Sequence, residues 1–269
     1  MREFGVPWGL RARAGIFAAA CVLAAVGSAG AQEAEEEAEA AAAEEEPLVA
    51  YAIDVDFVSR YVWRGLAWTA GTAMQPSVSV DSFGFSLWGW TNLVLQHEDY
   101  EGQFNEVDAG LSYTYAWDFL ELSGGLQVWS YPYQADSPTT GQADVAIWVP
   151  LGELFYLYTD QTVDIGSYAG AYYGELGATF AYETEAGPLV EATVLTGWAS
   201  DAFNDTYVGV AQTAWNVVQA GFAVTFPLSY VYLRLHAQCS YLPDADLRAA
   251  VDDPFLAVGG IAVGTEGPP

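Results

Sequence analysis

Residues 51–65, Tyr-Ala-Ile-Asp-Val-Asp-Phe-Val-Ser-Arg-Tyr-Val-Trp-Arg-Gly, change character with a period of two. Tyr51, Ile53, Val55, Phe57, Tyr61 and Trp63 fall on one side of an extended strand. Asp54, Asp56, Arg60 and Arg64 fall on the other, with Val58 and Val62 among them. A strand sends successive side chains to opposite faces, so this alternation implies two very different surroundings. The rhythm returns along the chain. Val107, Leu111, Tyr113 and Tyr115 oppose Glu106 and Asp108, and Leu122, Leu126 and Val128 oppose Glu121. Leu176, Phe180 and Tyr182 oppose Glu175 and Glu183, and Val231, Leu233, Leu235 and Cys239 oppose Arg234 and His236. Each segment has about nine to fourteen residues, enough for a tilted strand to cross a bilayer.

The connections sort by length. Short links fall near 81–82, 118, 150–152, 184–187 and 227–228; longer polar ones fall at 65–73, 96–104, 131–141, 162–170, 200–212 and 242–254. Long and short alternate strictly, which predicts about twelve strands, within a range of ten to fourteen, and both termini on one side. Outer-membrane barrels carry this asymmetry of short periplasmic turns and long external loops. Hydrocarbon also demands closure, because an unpaired backbone N–H or C=O there costs several kcal/mol. The expected fold is therefore all-β, a transmembrane antiparallel up-and-down β-barrel. Its greasy faces look outward and its charged faces line a wet lumen. A soluble barrel with an apolar interior would reverse the faces. Trp63, Trp117, Trp129, Trp148, Trp198 and Trp215 fall near strand ends, where interfacial aromatic girdles form.

Composition sharpens the picture. The 269 residues carry 35 acidic side chains against seven basic ones, all Arg, for a formal net charge of −28. Nucleic acid needs basic patches to meet phosphate, so it is not an expected partner. The charge suits cations or a divalent-rich exterior. Residues 1–31 read as a signal peptide: Arg2, Arg11 and Arg13, an apolar stretch over 14–27, then Ala29-Gly30-Ala31. That stretch is too short for a spanning helix. Cys21 lies within it rather than at its end, which argues against lipidation, and cleavage leaves Cys239 without an internal partner. Residues 32–47 form an acidic flexible segment with eight Glu in 33–46. The barrel is expected over 48–264 and a tail over 265–269.

Candidate chemistry follows the inward face. Asp54, Asp56, Glu106, Asp108, Glu121, Asp144, Glu175, Glu183 and Glu191 form an acidic wall, joined by Arg60, Arg64, Arg234 and His236. Two readings of the basic groups stand open: they set a transverse field that orients a solute, or they neutralise acids across the barrel and fill it. In an open lumen the acids favour cations. Catalysis is not expected. His97 lies in a long loop, His236 lies within a strand, and Ser240 is roughly 13 Å further along that strand, beyond hydrogen-bond reach. No G-x-S-x-G, H-E-x-x-H or Walker-type loop occurs. No cofactor or metal site is expected, and Asp201, Asp205, Asp244, Asp246, Asp252 and Asp253 read as solvated loop acids.

The run Val58-Ser59-Arg60-Tyr61-Val62-Trp63-Arg64-Gly65-Leu66, then 73–76 and Gly84-Phe85-Ser86-Leu87-Trp88-Gly89-Trp90, resembles the opening of the TorF-type porin family. The likeness covers roughly forty residues; beyond them only the strand rhythm agrees. Leu66-Ala67-Trp68-Thr69 departs from the polar run usual after Arg-Gly, and 264–269 lack a terminal aromatic, so the last strand is expected to end near Val263. The resemblance implies an outer-membrane pore and no catalytic residues. The expected function is a porin-like channel for passive movement of small solutes, leaning to cations, in contact with outer-membrane lipid. The alternative is a non-conducting barrel that acts as a scaffold through its long loops.

Overall fold

The structure, a computed structural model, describes residues 49–96, 101–134 and 137–267. The signal peptide, the acidic segment 33–46 and His97 lie outside them.

Twelve strands close into one antiparallel barrel. They are β1 (Ala50–Val58), then, after a small two-stranded hairpin of β2 (Val62–Trp63) and β3 (Leu66–Ala67), β4 (Ala73–Ser82), β5 (Phe85–Val94), β6 (Phe104–Ala116), β7 (Glu121–Ser130) and β8 (Thr140–Leu151). There follow β9 (Phe155–Asp164), β10 (Tyr172–Glu183), β11 (Leu189–Ala199), β12 (Ala214–Leu228), β13 (Val231–Tyr241) and β14 (Phe255–Gly267). Each of these neighbours the next around the ring, and β14 pairs back onto β1 from Tyr51↔Gly267 to Val58↔Gly260. Closure leaves the barrel sheet without a free edge strand. Short helices α1 (Asp201–Val208) and α2 (Ala245–Ala250) occupy two of the long connections.

The faces divide as the alternation requires. Ile53, Phe57, Leu87, Leu111, Leu126, Val194, Phe222 and Ile261 are exposed on the outside, while Glu106, Asp108, Glu121, Thr179, Glu191 and Thr193 are buried inside. The short connections gather at one end with both chain ends, and the long ones gather at the other. One short turn and one strand interior show how local chemistry sets register. Phe83 and Gly84 both take positive φ, +51° and +82°, which is the mirror-image turn that matches the twist of a two-residue hairpin. At β4 the proline rule is met by a lapse in pairing: the β4–β5 register passes from Met74↔Leu93 to Ser77↔Trp90, leaving Gln75 and Pro76 without β5 partners. Side-chain amides bridge the lapse from inside, Gln75 Nε2 donating to Asn92 Oδ1 at 2.9 Å and Asn92 Nδ2 to Asn105 Oδ1 at 2.7 Å.

Three sequence expectations change. β1 ends at Val58, so Tyr61, Trp63, Arg60 and Arg64 are not on its faces. The last strand runs to Gly267, past Val263. Trp63, Trp129 and Trp148 point into the barrel rather than joining a girdle. Trp117 and Trp215 are exposed outside, and Trp198 is the register partner of Trp215 on the same face.

Candidate functional site: the lumen and its inward hairpin

The chain leaves β1, turns inward and crosses the lumen. Ser59 N donates to Gly259 O at 2.9 Å, which pins the departure point to β14. Arg64 and Gly65 then form the tip of the β2–β3 hairpin with φ of +51° and +80°, the same mirror-image turn as at Phe83-Gly84. A bulky residue at positive φ is strained, so the surroundings must hold Arg64 in place. They do so from the far wall. Arg64 Nη2 donates to Thr162 Oγ1 on β9 at 2.7 Å, and its guanidinium lies 4.2 Å from the ring centre of Tyr173 on β10. In ring order β9 is six strands from β1, and β10 is six from β4. The tip therefore spans the full width of the barrel. Gly65 is needed there: a Cβ would meet Val217 Cγ2 of β12 at 2.8 Å.

Helix α1 fills the space beside the hairpin. Ser200 caps it, its Oγ accepting from Phe203 N at 3.2 Å, and Gly209 ends it at φ +78°. Asn204 is tied to Gln212 O at 2.8 Å and to Asn216. This fixes Phe203, with no exposed surface, and Tyr207 against Trp63, at ring distances of 5.6 and 5.1 Å. Trp129 of β7 meets Trp63 edge-on at 5.2 Å, Trp68 lies 5.8 Å away, and Trp63 is 3% exposed. At this level the lumen is an aromatic plug with one guanidinium set among its rings.

The sequence-predicted charges sort into three groups. Along β1 and β13, Tyr232 OH donates to Asp54 Oδ2 at 2.7 Å, and His236 Nε2 lies 2.9 Å from Asp56 Oδ2. Arg234 Nη2 is 3.4 Å from Glu191 Oε2 on β11. The opposite wall holds Glu106, Asp108, Glu121 and Asp144, and Tyr173 OH donates to Glu175 Oε2 at 3.4 Å. Glu183 faces water at the short-turn end. The third group corrects the first strand: Arg60 sits at the barrel mouth, paired with Asp253 at 2.8 Å, and Arg64 belongs to the plug.

Sequence reasoning missed Asp160 and Asp164 of β9, both inward. Arg64 lies within electrostatic reach of Asp160. Asp164 instead locks the loop after β9, its carboxylate accepting from Thr140 Oγ1, Gly166 N and Tyr168 N. The signal in β9 was masked by Thr159 and Gln161 on its outer face, where Gln161 Nε2 donates to Thr159 Oγ1 at 2.6 Å. In the long connections, burial pushes the phenols of Tyr131 and Tyr168, in loops, and of Tyr207, on α1, above their ordinary pKa, so they remain neutral donors.

No family model matches the chain, and no curated protein matches it by sequence. Solved structures do match in shape. The KdgM porin superposes with a TM-score of 0.52 at 9% identity, over 80% of this chain and 98% of that one. The fold is porin-like. The KdgM porin in complex with disordered oligogalacturonate gives 0.51 at 7% identity, over 80% and 98%. LpxR from Salmonella typhimurium gives 0.50 at 10%, over 80% and 99%.

Proposed function

We propose that the chain is a bacterial outer-membrane channel for passive movement of small hydrophilic solutes, exported by residues 1–31 and leaning towards cations. The observation that supports this most is the arrangement of faces in a closed barrel: aliphatic and aromatic side chains outside, carboxylates inside. A soluble barrel has no physical reason to expose Ile53, Leu87, Leu111 and Phe222 while enclosing Glu106, Asp108 and Glu191. Asp54, Asp56, Glu106, Asp108, Glu121, Glu175 and Glu183 then set the sign of the interior field, which low-dielectric walls focus along the lumen. Arg234 and His236 temper that field beside Glu191 and Asp56, Arg64 acts at the constriction, and Arg60 acts only at the mouth. Membership of the TorF-type family, suggested by 58–66 and 84–90, belongs to the same reading.

Planar-bilayer recording tests it. Stepwise currents are expected, with a reversal potential under a potassium chloride gradient that reports cation preference. Anion preference would remove the selectivity assignment. A silent barrel that still shows heat-modifiable gel mobility would remove the channel and leave the scaffold.

A further inference from the structure

Between the hairpin and β6 lies a constellation that passage alone does not require. Glu106 and Asp108 occupy successive inward positions of β6, and Asp108 is 4% exposed. Among the described residues no Arg or His pairs with either, and Asp108 Oδ1 has no hydrogen-bond partner. Two carboxylates buried this way either take up protons or meet a positive charge that keeps them ionised. Phenols close around them. Tyr61 lies in electrostatic range of Glu106, and Tyr131 in that of Glu106, Asp108, Tyr168 and Tyr207. Tyr131 is 7% exposed and its hydroxyl likewise has no partner. Ring faces continue outward, with Trp90 at 5.4 Å from Tyr61 and Trp68 at 6.3 Å from Tyr131.

We infer that Glu106, Asp108 and the surrounding tyrosines form a binding site for a small organic ammonium ion. Aromatic faces attract such cations through the ring quadrupole, most strongly where water is excluded, and the paired carboxylates supply the charge. A metal ion fits less well, since among the described residues no three His, Cys, Asp or Glu gather as ligands. Arg64 does not cancel the site, because Asp160 stands beside it. The site deepens the channel reading, yet binding is measurable whether or not current flows, so the two can fail separately.

The test uses the purified full-length barrel folded in detergent. Tetramethylammonium chloride replaces sodium chloride at constant ionic strength while tryptophan fluorescence and binding heat are followed. Saturation is expected for the native chain, weakened about tenfold or more by Asp108→Asn, Glu106→Gln and Tyr131→Leu. Asp118→Asn, which removes the same charge from a short turn, is expected to bind as the native chain does. Absence of saturation by tetramethylammonium, or equal saturation in all folded variants, overturns the site. Should one variant fail the heat-modifiability check, the remaining two decide.

Discussion

Trp63→Ala should release the hairpin from the lumen. The indole is buried against Trp68, Trp129, Phe203 and Tyr207, and its ring carries the Arg64 guanidinium at 4.5 Å. Truncating a buried Trp costs about 3–5 kcal/mol. Most of this cost falls on the docked hairpin, because the barrel wall keeps its own ladder. A loss of about 4 kcal/mol multiplies the undocked population about a thousandfold. Trypsin reads that population directly. The chain has no Lys, and after residue 47 the only cleavage sites follow Arg60, Arg64, Arg234 and Arg248. Cleavage after Arg64 requires the tip to leave the lumen, and where docking is fast relative to cleavage its rate tracks the undocked fraction. Cleavage after Arg60, at the mouth, is the internal reference. The expected result is at least a hundredfold faster cut after Arg64 in Trp63→Ala, with larger unitary conductance. An unchanged ratio of the two cuts in a folded variant would refute the plug, since the aromatic contacts would then hold nothing in place.

Further outcomes follow from the same structure. A spin label on Cys239, exposed on the outer face of β13, should report high oxygen and low aqueous-relaxant access in bilayers; strong aqueous access would invert the faces. Arg234→Leu should destabilise by about 3 kcal/mol in urea titrations by stranding the buried Glu191 carboxylate, with recovery in the Arg234→Leu/Glu191→Leu double variant. Asn92→Ala should cost about 2 kcal/mol, because Gln75 and Asn105 lose their shared partner across the β4–β5 lapse; a thermal midpoint equal to that of the native chain would contradict this. Gly84→Ala should slow refolding and cost about 1 kcal/mol or more, since φ is +82° and a Cβ would stand 2.8 Å from Thr114 O.

Strands such as β13 were legible because one rule governed every position: Leu233, Leu235 and Cys239 face outward, and Arg234, His236 and Gln238 face the interior. The loop alternation was legible for a related reason, since a barrel sorts its turns by side. The hairpin was hidden by parity. Tyr61 and Trp63 continue the odd-numbered apolar face of β1, so the run looks like more strand, although the chain has turned at Ser59. Its tip carries Arg rather than Asn or Asp before Gly65, so turn chemistry gave no warning. The usable clue was Tyr61, Trp63 and Trp68 in a connection nominally facing water. The three lumenal Trp misplaced in the girdle follow from the same oversight: strand ends below a plug adjoin a packed aromatic interior.

The pairing of β1 with β14 joins segments some two hundred positions apart, and the hairpin hangs beside that joint. Ser59 is fastened to Gly259, and Arg60 is held by Asp253 just ahead of β14. Such a distant pairing forms slowly, because its chain-closure entropy must be met before any contact rewards it. Zipping the barrel shut and seating its stopper are thus mechanically one event. Prising the two terminal strands apart would unmoor the stopper and open the wall sideways together.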